Sequence, residues 1–178
     1  KVSLPHVFNQ CEKTGRIQNF AVAGNIKEGK FEGTYFNDSD VYKIIEGAAY
    51  SLALFDDPAL EKYVDDVITK IAAAQEEDGY LYTSRTIMSP DNMPPGGKER
   101  WSNISGGHEL YCVGHMYEAA VAYFQATGKR SLLDVAVKNA DLICEVFGPG
   151  KRREPPGHQE IEIGLVKLYR QTGNEKYL

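Results

Sequence analysis

The sequence predicts an all-α fold of paired helices, and three observations carry that prediction. Apolar residues recur three and four positions apart in successive long runs, the mark of a helix face turned to a core. The runs come in pairs separated by a few Gly, Pro, Asp or Thr residues, which is the layout of a helical hairpin. Finally, Thr127-Gly128-Lys129-Arg130-Ser131-Leu132-Leu133 aligns with Thr172-Gly173-Asn174-Glu175-Lys176-Tyr177-Leu178, an internal repeat with an offset of 45 residues. That period exceeds the roughly 34 residues of a tetratricopeptide unit and fits two helices plus a substantial loop.

The N-terminal segment around His6 has a weak pattern, and nothing is assigned to it. The first hairpin spans about 40–77: Tyr42, Ile45, Ala49 and Leu52 mark one helix, and Leu60, Val64, Val67, Ile68 and Ile71 mark the next. Between them, Asp57 before Pro58 supplies an N-cap followed by proline at the first helical position. The second hairpin spans about 108–147, with Leu110, Val113, Tyr117, Ala120, Val121 and Phe124 on one helix. Gly128 suits the left-handed residue that closes it, and Leu132, Leu133, Ala136, Ala140, Ile143 and Phe147 continue on the partner. The third, about 158–178, carries Ile161, Leu165, Leu168 and Tyr169 and reaches Thr172-Gly173, so the sequence is expected to stop inside an element.

Small residues (Gly47-Ala48-Ala49, and Ala119-Ala120 with Ala122) mark the first helix of these hairpins and permit close packing, whereas the second helices are more charged. The first helices are therefore read as an inner ring and the second as an outer ring. Inner helices would then run in one direction, and the loops entering them, 31–40, 78–107 and 148–157, would line one mouth. The acidic run Gln75-Glu76-Glu77-Asp78-Gly79 reads as a solvated helix end leading into the second of these loops.

Composition narrows the partners. With 42% hydrophobic and 25% charged residues the chain is ordinary for one domain or part of one. The net charge is −5 and the basic residues are scattered, which argues against nucleic acid. No apolar run reaches the roughly 18 residues of a membrane span, and the first ten residues lack a signal-peptide core. A soluble protein is expected, its compartment open because a cleaved signal would not be seen. Cys11, Cys112 and Cys144, widely spaced and without C-x-x-C, read as free thiols.

Candidate functional residues cluster at the expected mouth. Gly107-His108-Glu109 and Gly157-His158-Gln159 each place a histidine at the start of an inner helix, 50 residues apart. Either each histidine caps its helix, or two neutral rings face one hydroxyl-rich ligand. His115, seven residues after His108, lies on the same face, turned to the interior or held in the core. Trp101, the only tryptophan, with Asn103 beside it, either recognises a sugar or anchors the long loop. Gly96-Gly97-Lys98 and Gly148-Pro149-Gly150-Lys151 lack Walker spacing and are turns. Asp38 and Asp40 are read first as N-cap residues and second as glycosidase carboxylates.

Several motifs in order resemble one family. Gly33-Thr34-Tyr35-Phe36-Asn37-Asp38-Ser39-Asp40-Val41-Tyr42-Lys43, Gln75-Glu76-Glu77-Asp78-Gly79-Tyr80-Leu81 and Gly107-His108-Glu109-Leu110-Tyr111 resemble the N-terminal part of the helical domain of glycoside hydrolase family 127. Gly114-His115, Glu118-Ala119-Ala120, Phe147-Gly148-Pro149-Gly150 and Pro156-Gly157-His158-Gln159-Glu160-Ile161-Glu162 continue the resemblance.

The resemblance implies an (α/α)6 toroid, incomplete in residues 1–178, followed by β-sandwich domains in the complete protein. It implies retaining release of terminal β-L-arabinofuranose by a zinc-bound cysteine with a glutamate acid/base, and it places His108 and His158 on the bound sugar. None of Cys11, Cys112 or Cys144 matches the zinc-ligand cysteines, which together with the catalytic glutamate are expected past Leu178. This segment is accordingly expected to hold no catalytic or metal residue and to be inactive alone. Two other readings stay open: an unsaturated-uronide hydrolase on the same toroid, served by Lys98, Arg100, Lys151, Arg152 and Arg153, and a non-catalytic helical-repeat scaffold.

Overall fold

A computed structural model describes residues 2–88, 97 and 99–178; Gly96 and Lys98 lie outside the described residues. The chain is all-helical: α1 (Ser3–Lys13), α2 (Arg16–Ala23), α3 (Asp38–Leu52), α4 (Pro58–Ala74), the short α5 (Thr83–Ile87), α6 (Glu109–Thr127), α7 (Ser131–Val146) and α8 (Glu160–Thr172). A 3-10 turn, Glu175–Tyr177, follows. Among the described residues the only β pairing is an isolated bridge between Phe147 and Arg152.

The helices form two layers. α3, α6 and α8 pack side by side, with α1 against α3, while α4 packs against both α2 and α7 behind them. α6 sits at the centre of this arrangement and is buried on almost every side, from Leu110 and Val113 to Tyr117, Val121 and Tyr123. A helix in that position has no solvent stripe, and its all-round apolar character follows from its neighbours.

Local chemistry sets the helix ends. Asp57 caps α4 by accepting from the Leu60 amide at 3.0 Å, with Pro58 next in line. The repeat read in the sequence is one closing device used twice. Gly128 and Gly173 end α6 and α8 in the left-handed conformation (φ 74° and 72°). Beside each, a threonine hydroxyl donates to the carbonyl four residues back: Thr127 to Tyr123 at 2.7 Å and Thr172 to Leu168 at 2.8 Å. Buried Leu132 and Tyr177 occupy equivalent places after the two turns.

α1 and α2 are what the sequence reading left unassigned. They are short and lack side-chain N-caps, so helices of this length draw their stability from packing. Phe8, Cys11, Ile17 and Phe20 supply it, all buried in the common core.

The inner helices approach closely enough to exclude side chains. A Cβ on Gly114 of α6 would lie 2.7 Å from the Glu160 carbonyl carbon and oxygen of α8, and one on Gly164 would lie 2.6 Å from the Gly114 oxygen. Backbone therefore meets backbone at the α6–α8 crossing, which draws the entries to these two helices together.

Candidate functional site

The loops before α6 and α8 touch where a side chain would not fit: a Cβ on Gly157 would fall 1.9 Å from the Ser105 carbonyl oxygen. This contact brings the following histidines together, with the His108 and His158 rings 5.5 Å apart and tilted by 52°. Neither caps a helix. His108 occupies the N-cap position of α6 without a side-chain cap bond, and His158 precedes Gln159, the N-cap of α8.

His108 is held firmly. Its backbone is left-handed (φ 60°), its ring stacks on Phe36 at 4.8 Å, and its Nδ1 lies 2.7 Å from the Gly106 carbonyl oxygen. A carbonyl can only accept, so Nδ1 carries the hydrogen, and in the neutral ring Nε2 is left as an acceptor. The Tyr35 hydroxyl donates to the same carbonyl at 3.1 Å. His158 is exposed, and its ring packs on Tyr111 at 4.8 Å. Together they bound a narrow cleft with Ser105, Tyr111 and Gly157.

A charged cluster lies further along the same helices. His115 Nδ1 is 3.0 Å from Glu160 Oε1 and 3.6 Å from Glu118 Oε2. Lys167 pairs with Glu118 and, at 3.4 Å, with Glu46. Residues about ten positions into α3, α6 and α8 thus meet just as Phe36, His108 and His158 meet near the helix starts, so the three helices run in parallel. Burial, then the nearby Lys43 charge, lowers His115 to a pKa of about 4 and keeps it neutral. Burial and proton sharing with Glu118 push Glu160 up, whereas the Glu160 and Lys167 hydrogen bonds outweigh burial at Glu118 and lower it. Glu160 Oε1 has no aligned donor, which fits a carboxyl that itself carries the proton.

Among the described residues, His115, Glu118 and Glu160 are the one group arranged to hold a metal ion, their ligand atoms all within 4.8 Å of one another. The sequence reading assigned this segment no metal ligands, and this triad is a candidate it did not foresee. Its donors are nitrogen and oxygen, not thiolate. Cys11 and Cys112 are buried and Cys144 half-buried; burial raises all three thiols, Cys11 to about 11. Among the described residues none of the three belongs to the metal-capable group.

The remaining candidates fall elsewhere. Trp101 is 7% exposed, its ring set edge-on to Tyr80 and Phe147 at 5.5 and 5.8 Å. It anchors the loop and offers no open face to a sugar. Beneath it, buried Glu109 accepts from the Trp101 amide at 2.9 Å and from the Tyr80 hydroxyl at 2.5 Å, a hub the sequence reading passed over. Asn103 Oδ1 accepts from the Gly106 amide at 3.2 Å and so shapes the turn that carries His108. Neither Asp38 nor Asp40 caps α3 through its side chain. Asp38 is fully buried and receives the Thr83 amide at 2.8 Å and hydroxyl at 2.5 Å, while Asp40 pairs with Arg16 at 2.7 Å. Glu76 and Asp78, read as a solvated helix end, both bind Arg100, and Arg152 donates to the Trp101 carbonyl at 3.0 Å. Arg100 and Arg152, two of the five basic residues considered for an acidic sugar, are thus engaged within the protein.

Tyr111, Glu118 and Lys43 were also missed, although for Tyr111 and Glu118 a signal was present. Residues 108, 111, 115 and 118 repeat at steps of three and four, one polar stripe on a largely apolar helix.

Residues 1–178 match, over their whole length, the family described as "Beta-L-arabinofuranosidase, GH127 catalytic domain". The chain belongs to glycoside hydrolase family 127. It is 45% identical over 168 residues, 93% of its length, to the non-reducing end β-L-arabinofuranosidase of Bifidobacterium longum subsp. longum, and spans 25% of that enzyme. A solved GH127 β-arabinofuranosidase superposes with a TM-score of 0.91 at 49% identity, over 99% of this chain and 28% of the larger one. A GH127 β-L-arabinofuranosidase from Geobacillus stearothermophilus T6 gives the same TM-score at 45% identity and the same coverage. These GH127 proteins are about four times longer than this segment, which accords with an incomplete toroid. Among the described residues no helix is long and apolar enough to cross a membrane.

Proposed function

We propose that the complete protein is a retaining glycoside hydrolase that releases terminal β-L-arabinofuranose from glycans or glycoproteins, and that this segment forms part of its sugar pocket. The observation that carries the reading is the pairing of His108 and His158, 5.5 Å apart at the entries of two parallel inner helices. His108 offers an Nε2 acceptor to a sugar hydroxyl, and His158 presents an exposed ring beside it. The GH127 relatives named for this activity support the choice of sugar. A zinc–cysteine centre and the glutamate acid/base belong, on this reading, to residues beyond this segment, and the other partners of the site are the rest of the toroid and the β-sandwich domains.

The test is release of p-nitrophenol from p-nitrophenyl β-L-arabinofuranoside, with zinc and a reductant, by this chain and by the complete protein. Activity is expected only from the complete protein. Loss of one substrate hydrogen bond costs about 1–3 kcal/mol, so His108→Ala and His158→Ala should each lower kcat/KM by roughly 10- to 100-fold. Unchanged kinetics in the double variant would refute the pocket assignment, and activity on uronides alone would replace the substrate.

A further inference from the structure

Tyr111 stands at the centre of the cleft, its ring 5.5 Å from His108, 4.8 Å from His158 and 4.7 Å from His115. Its hydroxyl accepts a hydrogen bond from Lys43 Nζ of α3 at 2.6 Å, and the same ammonium donates to Ser39 Oγ at 3.3 Å. An ammonium only donates, so this contact occupies an acceptor site of the phenol and leaves its O–H to be given away. Among the described residues nothing accepts that O–H. The neighbouring His108 has the opposite polarity, because its Nδ1–H is spent on Gly106 and its Nε2 can only accept in the neutral ring. One donor and one acceptor of fixed sense therefore stand side by side at the entry to the inner helices.

We propose that Tyr111 donates a hydrogen bond to an oxygen of the terminal sugar, and that Lys43 is a positioning residue that fixes the phenol in this donating sense. The inference rests on the sugar-pocket reading above and deepens it. A hydroxyl-bearing sugar is matched because one of its groups gives a proton to His108 while another oxygen receives one from Tyr111. A ligand with acceptors alone would leave His108 unpaired, and one with donors alone would oppose Tyr111. Lys43 acts through geometry and direction: it holds the phenol from α3 while the ring is held by α6.

The experiment uses the complete protein with p-nitrophenyl β-L-arabinofuranoside and its 2-, 3- and 5-deoxy analogues. Tyr111→Phe is expected to raise KM about 10-fold with a smaller change in kcat, and the defect should vanish for the one analogue that lacks the oxygen Tyr111 serves. Lys43→Met should reproduce most of that loss, Lys43→Arg should restore kcat/KM to within about 3-fold of wild type, and Lys43→Met should add less than about 2-fold in the Tyr111→Phe background. Wild-type KM in Tyr111→Phe, or an equal defect with every analogue, would overturn the donor role. Full additivity of the two substitutions would overturn the role of Lys43. Wild-type protein inactive on every arabinofuranoside would instead overturn the underlying functional reading, so the two failures are distinct.

Discussion

Replacing Gly114 by alanine should destabilise the protein and open the His108–His158 cleft at once, whereas the same replacement at Gly47 should stabilise it. Both glycines lie within inner helices, so alanine brings each the same helix-propensity gain of about 1 kcal/mol. Their surroundings differ. At Gly47 a new Cβ meets only Leu4 Cδ2 at 3.8 Å, an ordinary contact. At Gly114 it lands 2.7 Å from the Glu160 carbonyl group and 2.8 Å from the Ile161 nitrogen, short of ordinary contact by roughly 0.7 Å, and backbone cannot turn aside as a side chain can. Overpacking costs about 1–3 kcal/mol, and a clash with backbone belongs at the upper end, leaving Gly114→Ala destabilised by about 2 kcal/mol and Gly47→Ala stabilised by about 1 kcal/mol. At about 2–4 °C per kcal/mol for a unit of this size, and less in a longer chain, calorimetry should find Tm shifts of a few degrees in opposite directions. Because the clash displaces the start of α8, His158 should move from His108 and KM should rise several-fold in Gly114→Ala only. Unchanged Tm and KM in Gly114→Ala would refute the claim that this crossing sets the site.

Two further outcomes are expected. Glu109→Ala strands the buried Trp101 amide and Tyr80 hydroxyl, each costing about 1–3 kcal/mol, so chemical denaturation should show a loss of about 2–6 kcal/mol. Glu109→Gln, which keeps an acceptor, should lose markedly less. Burial raises Asp38 to a pKa of about 6, so its favourable contribution is complete below the usual carboxylate pKa near 3.8 and disappears as pH rises through about 6. Asp38→Asn should therefore gain stability relative to wild type as pH rises from about 4 to about 6, by up to about 3 kcal/mol across that window, in Tm measured against pH; a constant difference would refute this.

The metal-capable triad and the histidine pair illustrate what sequence spacing can and cannot reveal. His108, Tyr111, His115 and Glu118 share a stripe that helical periodicity exposes, and a histidine at each of two inner-helix entries was legible from the repeated Gly-His. Glu160 joins His115 only through the α6–α8 crossing, 45 residues away along the chain, and Lys43 reaches Tyr111 only through the packing of α3 on α6. Trp101 shows the converse: its residue type suits sugar binding, yet the Tyr80, Phe147 and Glu109 contacts that bury it come from three separate segments.

By itself the sequence determined the all-helical class and the hairpin caps at Asp57, Gly128 and Gly173, because these depend on residues within a few positions of one another. Only the tertiary structure decided the two N-terminal helices, whose stability comes from Phe8, Cys11, Ile17 and Phe20 packing on distant neighbours. It alone decided the polarity of the cleft as well. Which atom donates and which accepts at His108 and Tyr111 is set by a carbonyl and an ammonium, and in three dimensions α3 brings Lys43 to a hydroxyl 68 residues further along the chain.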